Sequence, residues 1–165
     1  MFKCVISMLL FSIVSFNAVA ITPTFSVIRE IHFGIVMLDT GSCRMIASTG
    51  VLISYSGQFI CVLPEDAHNG RYTVTANPNK TIRFKILPNL DTGDGVVFNP
   101  YVELISDGVP GKVISNNVGF VDINSGATGI VDLYVGGILT VTGSYSHSQT
   151  VIFSFPDSIE WFEVP

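Results

Sequence analysis

Few residues in this sequence are of a type and spacing that could bind a metal ion. The three histidines are His32, His68 and His147, and they form neither a His-x-x-x-His pair nor a mixed Cys/His zinc pattern. Asp91 and Asp94 lie in the stretch DTGDG, where carboxylates between glycines can ligate Ca²⁺. The stretch lacks the ligand ladder and closing Glu of an EF-hand loop. Asp91 and Asp94 are therefore a candidate metal pair, and an exposed turn joining two strands is the alternative that we favour.

No combination of residues points to catalysis. The stretch GSYSH at 143–147 comes nearest to a nucleophile elbow, but it lacks the second glycine and lies in a strand-like pattern. A glycine-rich phosphate loop followed by Lys and Ser or Thr is absent from the sequence. We predict a protein that is not an enzyme and has no cofactor, and a secreted enzyme is the less favoured alternative.

Charged residues are scarce throughout the chain. They make up 13% of the residues, and 8 Lys and Arg stand against 13 Asp and Glu, for a net charge of −5. Disordered tails, coiled coils and nucleic-acid binders all require more charge, and the last of these requires positive charge. The composition therefore predicts a folded domain with no nucleic-acid partner.

Residues 1–20 have the pattern of a signal peptide. Lys3 provides a positive charge, a mainly apolar run follows, and Ala18-Val19-Ala20 ends the segment with small residues that signal peptidases recognise. The apolar run is shorter than the roughly 20 residues needed to span a bilayer, although a retained anchor or a buried helix is the alternative. We predict cleavage after Ala20 and an exported domain over 21–165, without a transmembrane segment. Its destination would be the periplasm, the cell surface or the extracellular space.

Two cysteines remain in the predicted exported domain, Cys43 and Cys61. An even pair in an oxidising compartment predicts a disulfide. Closing a loop of about eighteen residues would stabilise the fold by roughly 3 kcal/mol in the chain-entropy model. A pair of free buried thiols is the alternative.

The dominant period of the exported domain is two, which is typical of β-strands. Short alternating runs recur at roughly ten-residue spacing between clusters of Gly, Pro, Asn, Asp and Ser, and this rhythm predicts an all-β sandwich. The runs 71–76 and 81–86 flank a turn-like NPNK and are expected to form a hairpin.

His32 stands between Ile31 and Phe33, so its side chain is expected to face solvent. A short helical turn is predicted at 64–68.

Three motifs together resemble a bacterial family of small exported, pilin-like β-sandwich proteins that is known only as a domain of unknown function. They are IHFGIV at 31–36, followed by Cys43; GRYTVTA at 70–76; and VGGILTV at 135–141. The resemblance spans about residues 28–155 and implies an immunoglobulin-like sandwich. In the third motif, Gly136-Gly137 is expected to form a tight turn between two strands, because such turns require positive φ.

The resemblance implies an exported cell-surface or fimbria-like structural subunit. Its partners would be other subunits or a periplasmic chaperone, bound by β-strand addition. The low charge agrees with this function, because charged residues are the usual protection of exposed strand edges.

The beginning of the exported domain offers a candidate strand-exchange arm. Ile21, Pro23, Phe25 and Val27 alternate with polar residues, so one face of the segment would be apolar. The arm is short, and the alternative is that 21–27 forms the first strand of its own sandwich. A function of another class also remains open, that of a free-standing secreted module that binds a carbohydrate or Ca²⁺.

Overall fold

The structure is a computed structural model, and it describes residues 21–37, 39–57, 60–87, 90–91, 95–107, 109–115, 119–143, 148–153 and 155–165. The predicted signal peptide, residues 1–20, lies outside the described residues. The strands are β1 Thr24–Arg29, β2 Ile31–Met37, β3 Gly41–Met45, β4 Leu52–Gly57, β5 Cys61–Leu63, β6 Gly70–Thr75, β7 Thr81–Ile86, β8 Leu90–Asp91, β9 Val96–Ser106, β10 Val109–Ser115, β11 Val121–Asn124, β12 Ile130–Val141, β13 Ser148–Phe153 and β14 Ile159–Glu163.

The described part of the chain contains no α-helix, which confirms the all-β prediction. Short 3-10 turns lie at Pro64–Asp66 and Pro156–Ser158, and the first of them occupies the predicted helical turn. None of the described helical turns has the length or apolar character that crossing a bilayer would require.

An eight-stranded antiparallel sheet is built around β12. One side of β12 pairs with β6 over Ile130–Val135 and then with β3 over Gly137–Val141. The other side of β12 pairs with β9 from Val131 to Val141. Beyond these strands lie β1 next to β6, β4 next to β3, and β8 and β10 next to β9.

Two three-stranded sheets cover one face of the large sheet, in the orders β13-β2-β5 and β11-β7-β14. Phe33 of β2 contacts Phe98 of β9 edge-on, with ring centroids 5.4 Å apart, and Phe98 stacks on Phe153 of β13 at 4.6 Å. Buried residues from all three sheets form one hydrophobic cluster. The arrangement is compatible with a β-sandwich.

Alternating side chains explain which face of each strand is buried. In β6, Tyr72 and Val74 are buried while Arg71 is exposed, and in β7, Ile82 and Phe84 are buried. The expected hairpin between these strands is nevertheless wrong, because β6 belongs to the large sheet and β7 to a small one. The intervening residues bond to the 126–129 segment instead, where Ala76 N–H donates to Gly129 O at 2.8 Å.

The expected turn at Gly136-Gly137 is also wrong, since both residues lie inside the continuous strand β12. This is the point where the partner of β12 changes from β6 to β3. A Cβ on Gly136 would lie 2.4 Å from Met45 O, and Gly137 has φ of +154°. Glycine is required here because another backbone segment crosses the strand, and not because the chain reverses.

The disulfide between Cys43 and Cys61 confirms the predicted pairing. Cys43 lies in β3 of the large sheet and Cys61 in β5 of a small one, and both are fully buried. The bond therefore joins the two layers of the fold.

Candidate functional site

The predicted metal pair falls largely outside the described structure. Asp94 lies in 92–94, which are not described, and only the backbone of Asp91 is described, in the short strand β8. Within the described ranges, no group of three or more His, Cys, Asp or Glu residues is arranged to hold a metal ion. The stretch 144–147, which includes His147, is also outside the described residues.

His32 and His68, which are distant in sequence, lie side by side. Their backbones form an isolated antiparallel bridge, with His32 N–H donating to His68 O at 3.0 Å and His68 N–H donating to His32 O at 2.8 Å. The ring centroids are 5.4 Å apart. His32 is half-buried and its Nδ1 accepts a bond from Gly34 N–H at 3.0 Å, so the expectation that it faces solvent is wrong. The strand alternation holds, but the face opposite Ile31 and Phe33 is covered by His68.

A polar network surrounds this histidine pair. The Nε of Arg29 donates to Asn69 O at 3.0 Å, and its guanidinium also bonds the side-chain oxygen of Asn69. Asn69 is buried and its amide donates to Ala47 O. Burial lowers the pKa of His68 below its ordinary value of 6.5, and the charge of Arg29 and the neighbouring His32 lower it further. The Nδ1 of His68 is buried and has no hydrogen-bond partner among the described residues.

The arm predicted from the sequence lies as β1 on its own chain, at the edge of the large sheet. β1 pairs with β6 alone among the described strands, from Thr24 opposite Thr75 to Arg29 opposite Arg71. Phe25 is the anchoring side chain, since its ring stacks on Tyr72 with centroids 5.6 Å apart and lies 6.2 Å from Trp161. The arm therefore contacts both layers of the fold.

The four apolar residues proposed for the arm differ in burial. Phe25 and Pro23 are half-buried, whereas Ile21 and Val27 are 46% and 48% exposed. Ile21 is attached through hydrogen bonds between its backbone and the side chain of Asn77, at 2.8 and 3.1 Å. Arg29, at the other end of β1, bonds to Asn69, so both ends of the strand are attached by hydrogen bonds and its centre by the Phe25 ring, while β6 is its one strand partner among the described residues.

The opposite end of the large sheet is formed by β4, which pairs only with β3 among the described strands. Nearly all of its residues are exposed on both faces of the sheet, including Ile53 and Tyr55 at 40% and 54%. Residues 45–64, which contain β4, have no Asp, Glu, Lys or Arg. The sequence contained this signal, but only the structure shows that the uncharged segment is an edge.

A shallow groove of about 400 Å³ crosses the outer face of the large sheet next to β4. The described residues that line it are all uncharged, and they are Tyr55, Asn99, Pro100, Tyr101, Ser115, Ile138 and Thr140. The hydroxyl of Tyr101 donates to Met45 O at 2.6 Å, and the guanidinium of Arg44 covers one face of the Tyr101 ring at 4.9 Å. The ring of Tyr55, on the edge strand, is open to solvent.

Comparison of the chain with protein-family models, with curated proteins and with solved structures finds no match in any of the three.

Proposed function

We propose that this protein is an exported, non-enzymatic structural subunit of the cell surface, resembling a fimbrial subunit, that binds its partners through strand edges. The observation that carries the proposal is the arm β1, which is attached to the large sheet through β6 alone among the described strands. The predicted signal peptide at 1–20 and the disulfide between Cys43 and Cys61 support export to an oxidising compartment.

The contacts of β1 are of a kind that another chain can reproduce. Backbone pairing with β6 depends little on which copy supplies the strand, and Phe25 fills a site between Tyr72 and Trp161. An element that binds its own chain in this way can bind the same site on an identical neighbour, which is the basis of domain swapping. Exchange of β1 between subunits, or its replacement by a strand of a chaperone, would then be β-strand addition.

A labelled peptide with the sequence of residues 21–29 tests the exchange. Incubated with the exported form, residues 21–165, the peptide is expected to displace β1 and remain bound, as measured by fluorescence anisotropy and native mass spectrometry. The matched control is the same peptide with Phe25→Asp, which would place a carboxylate between the Tyr72 and Trp161 rings and is expected not to bind. Failure of the parent peptide to bind, or equal binding of the control, would contradict arm exchange.

The groove beside Tyr55 favours a second candidate function, that of a binding module for a neutral saccharide. An uncharged lining of hydroxyl, amide and aromatic groups suits a sugar, which presents hydroxyls at its rim and C–H groups on its faces. Nuclear magnetic resonance titration with an oligosaccharide panel would test it, with Tyr55→Ala as the variant expected to lose binding. Tyr134→Ala, on the same sheet face but outside the groove, is the control. If the module binds Ca²⁺ and not a saccharide, the melting temperature is expected to rise on Ca²⁺ titration.

A further inference from the structure

The edge formed by β4 lacks the protection that the other open edges of the large sheet carry. β10 contains Pro110 and Lys112, and β1 ends at Arg29. No charged residue or proline occurs within Leu52–Gly57, which forms β4. Charged residues and prolines are the means by which natural edge strands avoid pairing with another chain. An exposed edge without them is therefore available for such pairing.

The backbone of β4 determines which residues could pair. Ile46, directly after β3, donates its N–H to Val51 O at 2.9 Å. The carbonyl of Val51 therefore points toward the β3 side of the strand. Successive residues of a strand direct their backbone groups to opposite sides, so Leu52 and Ser54 direct theirs outward and Ile53 toward β3. Tyr55 is the extra residue of a bulge between β3 and β4, and this bulge ends the regular part of the edge.

We propose that β4 pairs with β4 of a second copy of this chain, antiparallel and across a two-fold axis centred on Ile53. This pairing rests on the proposed function, binding through strand edges, with β4 as the edge and a second copy of the chain as the partner. Leu52 of each copy would exchange backbone hydrogen bonds with Ser54 of the other. The two Ile53 side chains would meet in a non-hydrogen-bonded pair, where side chains approach most closely.

A second copy is the occupant that the composition of this edge favours. A two-fold contact requires a self-complementary surface, because each residue faces itself or a close neighbour in the other copy. A charged residue near the axis would face a like charge, and β4 has none. Instead, Ile53, which is 40% exposed, would be covered by Ile53 of the second copy, and Val51, which is 52% exposed, would lie diagonally beside that Ile53. Only a few residues of each copy would pair, against the roughly 20–30 residues on each side of a stable interface, so we expect a weak dimer that depends on concentration.

Sedimentation equilibrium of the exported form over a concentration series tests the pairing. We expect a monomer–dimer equilibrium, and we expect Ile53→Lys to raise its dissociation constant at least about tenfold, because two like charges would meet at the axis. The matched control is Val113→Lys, on the edge strand β10, where Val113 is 65% exposed. It is expected to leave the equilibrium unchanged. A protein that stays monomeric, or a dimer indifferent to Ile53→Lys, would overturn the proposal.

A cross-linking variant tests the register directly. In a non-hydrogen-bonded pair the Cα atoms lie about 4.5 Å apart, which is within the range of a disulfide. Ile53→Cys is therefore expected to give a covalent dimer on mild oxidation, joined at position 53 as mapped by peptide mass spectrometry, whereas Val113→Cys is not. Equal cross-linking of the two variants would refute the register.

Phe25→Asp in the full exported form separates this inference from arm exchange. A dimer that survives Phe25→Asp and is lost in Ile53→Lys supports pairing through β4, even where the 21–29 peptide does not bind and arm exchange fails. A dimer that is lost in Phe25→Asp and kept in Ile53→Lys overturns pairing through β4 and assigns the association to the arm. Circular dichroism and melting temperature verify that each variant is folded.

Discussion

Replacing Gly136 by alanine tests the junction at which β12 changes partners. The added Cβ would lie 2.4 Å from Met45 O, 2.6 Å from Ala47 N and 2.9 Å from Ala47 Cα. Ordinary contacts between non-bonded heavy atoms are about 3.5–4.0 Å long, so the clash is about 1 Å deep. All of these atoms belong to the backbone, which cannot rotate away as a side chain would. Overpacking costs roughly 1–3 kcal/mol, and we expect Gly136→Ala to lie at the upper end, near 3 kcal/mol.

Urea unfolding followed by Trp161 fluorescence measures this cost. With a slope of about 1.5–2 kcal/mol/M, the midpoint should fall by roughly 1.5–2 M. Gly119→Ala is the matched control, because no atom of the described residues would lie within 4 Å of a Cβ there. Its effect should be small and slightly stabilising, since alanine restricts the unfolded chain. If Gly136→Ala and Gly119→Ala have the same urea midpoint, the segment around Met45 does not cross β12 at this point, and the reasoning is refuted.

The remaining predictions concern a histidine, a buried phenol and the disulfide. The folded-state pKa of His68 is below its ordinary value of 6.5, so its contribution to stability is present above pH 6.5 and is lost as the pH falls through the lowered pKa. The melting temperature of the parent should therefore decline between pH 7 and 5 more steeply than that of His68→Gln. Tyr72→Phe should cost about 1–2 kcal/mol in urea unfolding, because the Tyr72 hydroxyl donates to Glu30 Oε2 at 2.6 Å. Cys43→Ser or Cys61→Ser should lower the unfolding free energy by about 2–4 kcal/mol under non-reducing conditions.

Each of these has a contrary outcome. Equal pH slopes for the parent and His68→Gln would mean that another group controls the acid response. A Tyr72→Phe variant as stable as the parent would show that Glu30 finds another donor. Serine variants with the same unfolding free energy as the parent would mean that the bond between Cys43 and Cys61 contributes no net stability.

The fold class was predictable because strand alternation is a local property of the chain. The runs 71–76 and 81–86 were identified as strands, and the pairing of Cys43 with Cys61 was predicted because they are the two cysteines of the predicted exported domain. The partner of each strand was not predictable, because strand pairing depends on residues that are distant in the sequence. The residues between β6 and β7 bond to the loop around Gly129, and β6 and β7 do not pair with one another, so no hairpin forms.

The candidate sites were harder to predict for the same reason. Gly136 and Gly137 have the composition of a turn, and only the crossing of the chain near Met45 shows that they lie within a strand. No sequence spacing relates His32 to His68, since they become neighbours only through the pairing of two distant segments. The arm could be proposed from its alternating pattern, but only the structure shows that it pairs with β6 of its own chain.

The division of β12 between two partners has a mechanical consequence. β6 and β1 are attached along its first half, and β3 and β4 along its second half, all on the same side. Within the large sheet, a force applied between β1 and β4 therefore passes lengthwise through β12, which β9 supports along the opposite side. Hydrogen bonds loaded along the strands share the tension and break together, whereas those loaded across the strands open one after another. Traction between β1 and β4 thus acts along β12, the strand with the longest continuous hydrogen-bonded pairing in the large sheet.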